Sequence, residues 1–227
     1  MKVENFDDLK KKLEKIYSTE KTIKEFQEIF DSMAKYILAN VGIKAGGVVY
    51  GLVEIEFYYR NSLTENIESF GRTYPRKCNA GDLFLHYSGL DICFKTSEDD
   101  YKCCGGILIR SIINHENGVV IAGPLRCANE IINQCYRDNK KQLPIIVEHK
   151  NSTNKGIYAT IRQGIETGNQ FSVMRDNYKS NQLKEDQFPL FAYYIEGTEW
   201  PNNYNANPSI DYKRDVVERR GLYSKPI

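Results

Sequence analysis

Read at a period of two, the run Val48 to Tyr59, VVYGLVEIEFYY, puts Val49, Val53, Ile55, Phe57 and Tyr59 in one apolar row. It puts Tyr50, Leu52, Glu54, Glu56 and Tyr58 in the other. The first row belongs against a core. The second sets two carboxylates about 7 Å apart along a strand, with an aromatic ring as far again beyond them. Such a face is either wet, as on an exposed edge strand, or a site. The β-branched and aromatic residues that flank the glutamates without a break suit a strand covered on both faces. Buried carboxylates persist mainly when paired, hydrogen-bonded or used. Glu56 and Glu54 are therefore candidates for general acid or base work.

The rest of the pattern supplies a frame for that strand. Phe6, Leu9, Leu13 and Ile16 recur at helical spacing, and Ile23, Phe26, Phe30, Met33, Ile37 and Leu38 do so again after a polar break near Ser18. Two amphipathic helices are expected, followed by a break from Gly42 to Gly47. Arg60 to Ala80 is polar and long for a simple connection. Gly81 to Phe94 reads as a strand, a turn or bulge at Ser88-Gly89, and a second strand. The acidic segment SEDDYK reads as a turn, and Gly105-Gly106 opens the strand ILIRSII. Within it Arg110 is the lone charge, read either as a surface residue on an edge strand or as the cation for an anionic partner. Val119 to Ala122 is a short strand, and Gly123-Pro124 starts a helix with proline in its first turn. Pro144 to Val147, Ile157 to Ile165 and Phe188 to Gly197 are further strands, and the chain beyond Pro201 reads as a surface tail. Glu166 to Asp186 shows no periodicity.

Strands that do not alternate regularly with helices argue for an α+β fold in a single domain, with a curved, mainly antiparallel sheet and flanking helices. The chain of 227 residues is long enough for one well-buried core. Lys+Arg 31 against Asp+Glu 30 leaves a net charge of +1, so overall charge singles out no nucleic-acid binder. The start MKVENFDDLKKK lacks a signal-peptide pattern and no window is apolar enough to span a membrane, which predicts a cytoplasmic protein with no membrane partner. The six cysteines form no C-x-x-C pair and the three histidines are scattered. Free buried thiols, no metal and no cofactor are expected. There is no G-x-G-x-x-G or G-x-x-x-x-G-K-[ST] phosphate loop.

In this order the elements resemble the alkyladenine (3-methyladenine) DNA glycosylase family. The residues that carry the likeness are Val53-Glu54-Ile55-Glu56-Phe57-Tyr58, Gly81-Asp82-Leu83-Phe84, Leu108-Ile109-Arg110 and Gly123-Pro124. They continue with Arg162-Gln163-Gly164-Ile165 and with Pro189-Leu190-Phe191-Ala192-Tyr193 to Gly197 and Trp200. The resemblance implies the glycosylase fold and removal of a modified purine from DNA in base excision repair. It implies Glu56 as the base that activates water, Tyr58 as the ring stacked on an extruded base, His86 or Tyr87 as a second stacking residue, and Arg110 as the family arginine. The chain departs from the family in three places. No histidine lies between Tyr58 and His86, Ser88 stands where the family has a wedging tyrosine, and Lys95 stands near the family's pocket asparagine.

The chemistry suits these residues. Breaking an N-glycosidic bond passes through an oxocarbenium-like state, for which a carboxylate both deprotonates water and stabilises positive charge. A flipped purine needs a flat aromatic wall. Two other readings stand beside this one. One is a non-catalytic protein that keeps the fold and binds a small ligand, a nucleoside or nucleic acid through Glu54, Glu56 and Tyr58; the other is a plain solvated face.

Overall fold

The computed structural model describes residues 3–16, 23–61, 76–96, 103–137, 142–151, 155–160, 191–198 and 225–227. They form an α+β structure in which one curled antiparallel sheet of ten strands carries three helices. Helix α1 (Phe6–Lys15) begins where the Asn5 side chain accepts the Asp8 N–H, and has acidic residues in its first turn and lysines in its last. Its buried stripe is Leu9 and Leu13, and α2 (Ile23–Asn40) buries Phe26, Phe30, Met33, Ile37 and Leu38 as its spacing requires.

Where the sequence suggests only a break after Gly42, the structure has a strand, β1 (Val41–Ala45). Its Ala45 pairs Val48 of β2 (Val48–Asn61) around Gly46 and Gly47, whose φ values of 57° and 99° fit the two-residue hairpin turn that glycine favours. Next come β3 (Leu83–His86), β4 (Gly89–Cys93), β5 (Cys103–Asn114) and β6 (Val120–Ala122). Helix α3 (Pro124–Tyr136) has its proline in the first turn and buries Cys127, Ala128, Ile131 and Cys135. The remaining strands are β7 (Ile145–Glu148), β8 (Ile157–Thr160), β9 (Ala192–Ile195) and β10 (Lys225–Pro226). The last three residues leave the expected surface tail: β10 pairs β8, and Ile227 packs on the core. The expected features at SEDDYK, 161–190 and 199–224 lie wholly or mostly outside the described residues.

The main strand order is β10-β8-β9-β2-β5-β4-β3, with β1 paired to β2 and β7, and β6 to β5. One edge of β2 is shared by β1 and β9 while the other takes β5, so Glu54 to Glu56 are hydrogen-bonded on both sides. The edge-strand reading fails for this segment. Behind β2 the Phe57 ring stacks on Phe30 at 4.4 Å, and Tyr59 meets Phe26 at 4.9 Å. Burial of this aromatic row contributes roughly 2–3 kcal/mol per ring.

Candidate functional site

Two register shifts build the site. Leu52 pairs Ile112, Glu54 pairs Ser111 and Ile55 pairs Ile109, so Val53 on β2 and Arg110 on β5 are both passed over. Tyr50 and Leu52, which simple alternation places with the glutamates, instead join Val53, Ile55, Phe57 and Tyr59 in the core, because the bulge inverts the alternation at that point. Tyr50 sends its hydroxyl to Glu130 of α3. The same irregularity lets two consecutive residues of β5 face Glu54. Ser111 Oγ donates to Glu54 Oε2 at 2.9 Å, and Arg110 Nε lies 3.5 Å from Glu54 Oε1.

Arg110 is neither on an edge strand nor at the surface. It is 5% exposed and stands between the two carboxylates, its Nη1 3.3 Å from Glu56 Oε2. Glu56 is completely buried and Glu54 2% exposed, so the solvated-face reading ends here. One guanidinium between two carboxylates offsets part of their desolvation. Tyr58, half-buried, donates its hydroxyl to the same Glu56 Oε2 at 2.8 Å. Of the residues singled out in the sequence, Glu54, Glu56, Tyr58 and Arg110 thus form one connected group.

Directly paired residues of antiparallel strands share a face. The row Asp91–Leu108–Glu56–Ala192–Thr160 therefore runs across β4, β5, β2, β9 and β8 on the side of the carboxylates. His86 belongs to that side through Asp91: His86 Nε2 lies 3.0 Å from Asp91 Oδ1, and the Ser88 N–H donates to His86 Nδ1. Arg76 holds the other oxygen, Asp91 Oδ2, at 2.7 Å and lies 4.7 Å over the Phe84 ring. Next to Glu54, Tyr194 is the cross-strand neighbour and stacks on Tyr158 at 5.7 Å. Tyr87 does not join the buried cluster. It is 76% exposed in the β3–β4 turn, edge-on to His86. Lys95 follows β4, its N–H bonded to the Leu13 carbonyl at the end of α1.

Asp91, Arg76, Ser111 and Tyr194 escaped the sequence reading. Asp91 carried a signal, a single carboxylate inside the apolar strand GLDIC; Arg76, in a polar stretch, carried none. The cysteines whose side chains are described are free thiols, Cys93, Cys104, Cys127 and Cys135 buried and Cys78 half-buried. Burial pushes the thiols of Cys93 and Cys127 well up. Among the described residues no three His, Cys, Asp or Glu gather as metal ligands, and no helix is long and apolar enough to cross a membrane. A groove of about 900 Å³ lies on the helix-bearing side, lined by Leu9, Leu13, Leu83, Leu90, Ile131 and Cys135. Asp82 at its rim is engaged in a turn with Asn79. The groove offers apolar surface rather than groups suited to proton transfer.

Fold and site together define a curled antiparallel α+β protein with a buried Glu–Arg–Glu group and a tyrosine on its central strand. No family model matches the chain. Over 128 residues it is 26% identical to uncharacterized protein L759 of Acanthamoeba polyphaga mimivirus, a match that covers 48% of this chain and 58% of that protein. The chain thus spans little more than half of that relative's length, and the likeness assigns neither family nor activity.

Proposed function

We propose that the protein hydrolyses an N-glycosidic bond in the manner of the alkyladenine DNA glycosylases, removing a modified purine from DNA with a water activated by Glu56. The observation that carries this reading is the environment of Glu56. It is a fully buried carboxylate on a central strand, its Oε2 held by the Tyr58 hydroxyl and the Arg110 guanidinium. In the reaction Glu56 takes a proton from water as the water oxygen bonds to the sugar C1′. The C1′–N bond breaks, and its electron pair leaves with the base. Arg110 keeps Glu56 in place, and the carboxylates face the positive charge that develops on the sugar. Tyr58, fixed through its hydroxyl, presents a ring edge or face to the extruded base.

A second reading, binding without catalysis, draws on the same burial: an Arg110 paired to both glutamates also serves as a structural ion pair under a ligand site. A base-release assay on methylated DNA separates the two. Release by the wild type that is lost in Glu56→Gln supports hydrolysis. Binding of the methylated strand with no release by either protein supports the binding reading.

A further inference from the structure

We propose that Cys78 and Cys93 are an oxidation site, at which a peroxide joins the two thiols reversibly as a disulfide and fastens the segment that carries Arg76 to β4. The pair does not depend on what the Glu56 group does.

The fold brings the two sulfurs together through a turn ahead of β3. The Asp82 N–H donates to the Asn79 carbonyl at 3.2 Å, the Asn79 N–H donates to Asp82 Oδ2 at 2.8 Å, and Gly81 supplies a positive φ of 82°. The turn is bonded to the end of β4. The Gly81 N–H reaches the Cys93 carbonyl at 2.9 Å, and the Cys93 N–H reaches the Asp82 carbonyl at 2.8 Å. Just before the turn, the Cys78 carbonyl accepts the Thr96 N–H at 3.0 Å and the Cys78 N–H donates to Thr96 Oγ1 at 3.2 Å. Both cysteine backbones are thus held against their neighbours, and the two thiols meet in a hydrogen bond. A disulfide tolerates little misplacement of its two backbones. With the sulfurs already in contact, the last approach falls to the side chains.

The two thiols differ in access. Cys78 is half-buried and lines the apolar groove, whereas Cys93 is completely buried. Burial first pushes the Cys93 thiol up, the Arg76 charge offsets part of that, and the hydrogen bond with Cys78 raises it again. Cys93 therefore keeps its proton and donates it to Cys78, the sulfur that an oxidant reaches from the groove. Cys127 differs from both, since its thiol is turned to the backbone carbonyls of Arg110 and Ile121.

Oxidation runs in two steps. The Cys78 sulfur attacks one oxygen of hydrogen peroxide and the O–O bond breaks. Sulfur becomes a sulfenic acid, and the other oxygen leaves as water. The Cys93 sulfur then attacks the Cys78 sulfur, so that the S–S bond forms as the S–O bond breaks. The departing oxygen takes the Cys93 proton and leaves as a second water. Two thiols have lost two hydrogens and one peroxide has become two waters. A dithiol reductant reverses the bridge by exchange.

Arg76 stands two residues before Cys78, and Asp91 two residues before Cys93. The bridge therefore joins the same two segments as the 2.7 Å ion pair between Arg76 and Asp91, and closes a ring through β3 and β4. Such a ring stabilises mainly by restricting the unfolded chain.

The test treats the reduced full chain with a small molar excess of hydrogen peroxide and maps its peptides by mass spectrometry without reduction. A cross-linked peptide joining Cys78 to Cys93 is expected as the main oxidation product, and dithiothreitol should remove it. The oxidised protein should melt several degrees above the reduced one. In Cys93→Ala the sulfenic acid on Cys78 has no thiol to meet and should be trapped by dimedone, while Cys78→Ala should give neither bridge nor adduct at Cys93. The wild-type map decides the matter alone if either variant does not fold. Both cysteines left as thiols, Cys78 bridged instead to Cys135 or to a second chain, or a sulfenic acid that persists on wild-type Cys78 overturns the pairing. An oxidised form that melts no higher than the reduced one overturns the fastening of the segment.

Discussion

Tyr58 and Arg110 meet at a single atom: the phenol reaches Glu56 Oε2 at 2.8 Å and the guanidinium reaches the same oxygen at 3.3 Å. The meeting depends on two local facts. Residues two apart on a strand share a face, and the double register shift turns Arg110 inward between the two glutamates.

Glu56→Gln keeps the side-chain volume and can still receive the Tyr58 and Arg110 donors through its amide oxygen, but it takes no proton from water. On the proposed function, base release should fall by about 10²–10⁴-fold with a melting temperature close to wild type. Glu54→Gln should have a smaller effect on rate, because on the proposed function the water gives its proton to Glu56, while Glu54 shares Arg110 with it. Inactivation by Glu54→Gln with Glu56→Gln harmless would reverse the two roles.

Arg110→Met leaves two buried carboxylates without their guanidinium. A loss of about 3–5 kcal/mol of unfolding free energy is expected in urea. Adding Glu54→Gln should restore part of it by removing one of the stranded charges. An Arg110→Met protein as stable as wild type would mean that the ion pairs contribute nothing to the fold.

Cysteine reactivity offers a check on the core that is independent of function. Desolvation raises the thiols of Cys93, Cys127 and Cys135, which keeps them protonated and unreactive in mildly alkaline buffer. Native alkylation followed by mass spectrometry should modify the half-buried Cys78 ahead of these three. Labelling of Cys127 at an equal rate would contradict its place on the buried face of α3.

A lowered His149 pKa predicts a pH dependence of the fold. Desolvation first, and then the neighbouring His115, lower its pKa from the ordinary 6.5; the two rings are 4.5 Å apart. A base with a depressed folded value binds more protons unfolded than folded. Its contribution is therefore complete above about 6.5 and is lost as pH falls toward the folded value. Urea midpoints should drop across that interval, and His149→Gln should flatten the drop. A wild-type midpoint that stays constant there would exclude the effect.

The period-two and helical patterns were enough for the two leading helices, the β3–β4 hairpin, the helix after Gly123-Pro124 and the strand of the glutamates. They missed β1, because Val41 continues the helical spacing of Ile37 and Leu38 and Gly42 reads as a stop. Alternation also misplaced Tyr50 and Leu52, since a bulge depends on the partner strand and leaves no mark in its own residues. Arg76 shows the same limit for the site. Its contact with Asp91 is made by the fold, whereas Glu56 and Tyr58 sit within one short run and their common face is a local matter.

Extruding a base from a duplex requires something to hold the gap, and Ser88 is too small for that. Its neighbour Tyr87 is 76% exposed at the tip of the β3–β4 turn, next to His86 and outside the buried cluster. On the proposed function Tyr87 is the side chain placed to enter the stack. An aromatic ring against a base is worth roughly 1–3 kcal/mol, so Tyr87→Ala should weaken binding to duplexes that carry a modified purine by about tenfold. Binding of a free base at the Tyr58 ring should not change, since Tyr87 lies outside that group. With a net charge of +1, few phosphates are neutralised, and the affinity should vary shallowly with salt. Fluorescence anisotropy at two salt concentrations, with matched duplex and single-stranded oligonucleotides, measures both effects. Duplex affinity unchanged in Tyr87→Ala, or a steep salt slope, would show instead that the duplex is held by backbone cations and that the exposed tyrosine plays no part in opening it.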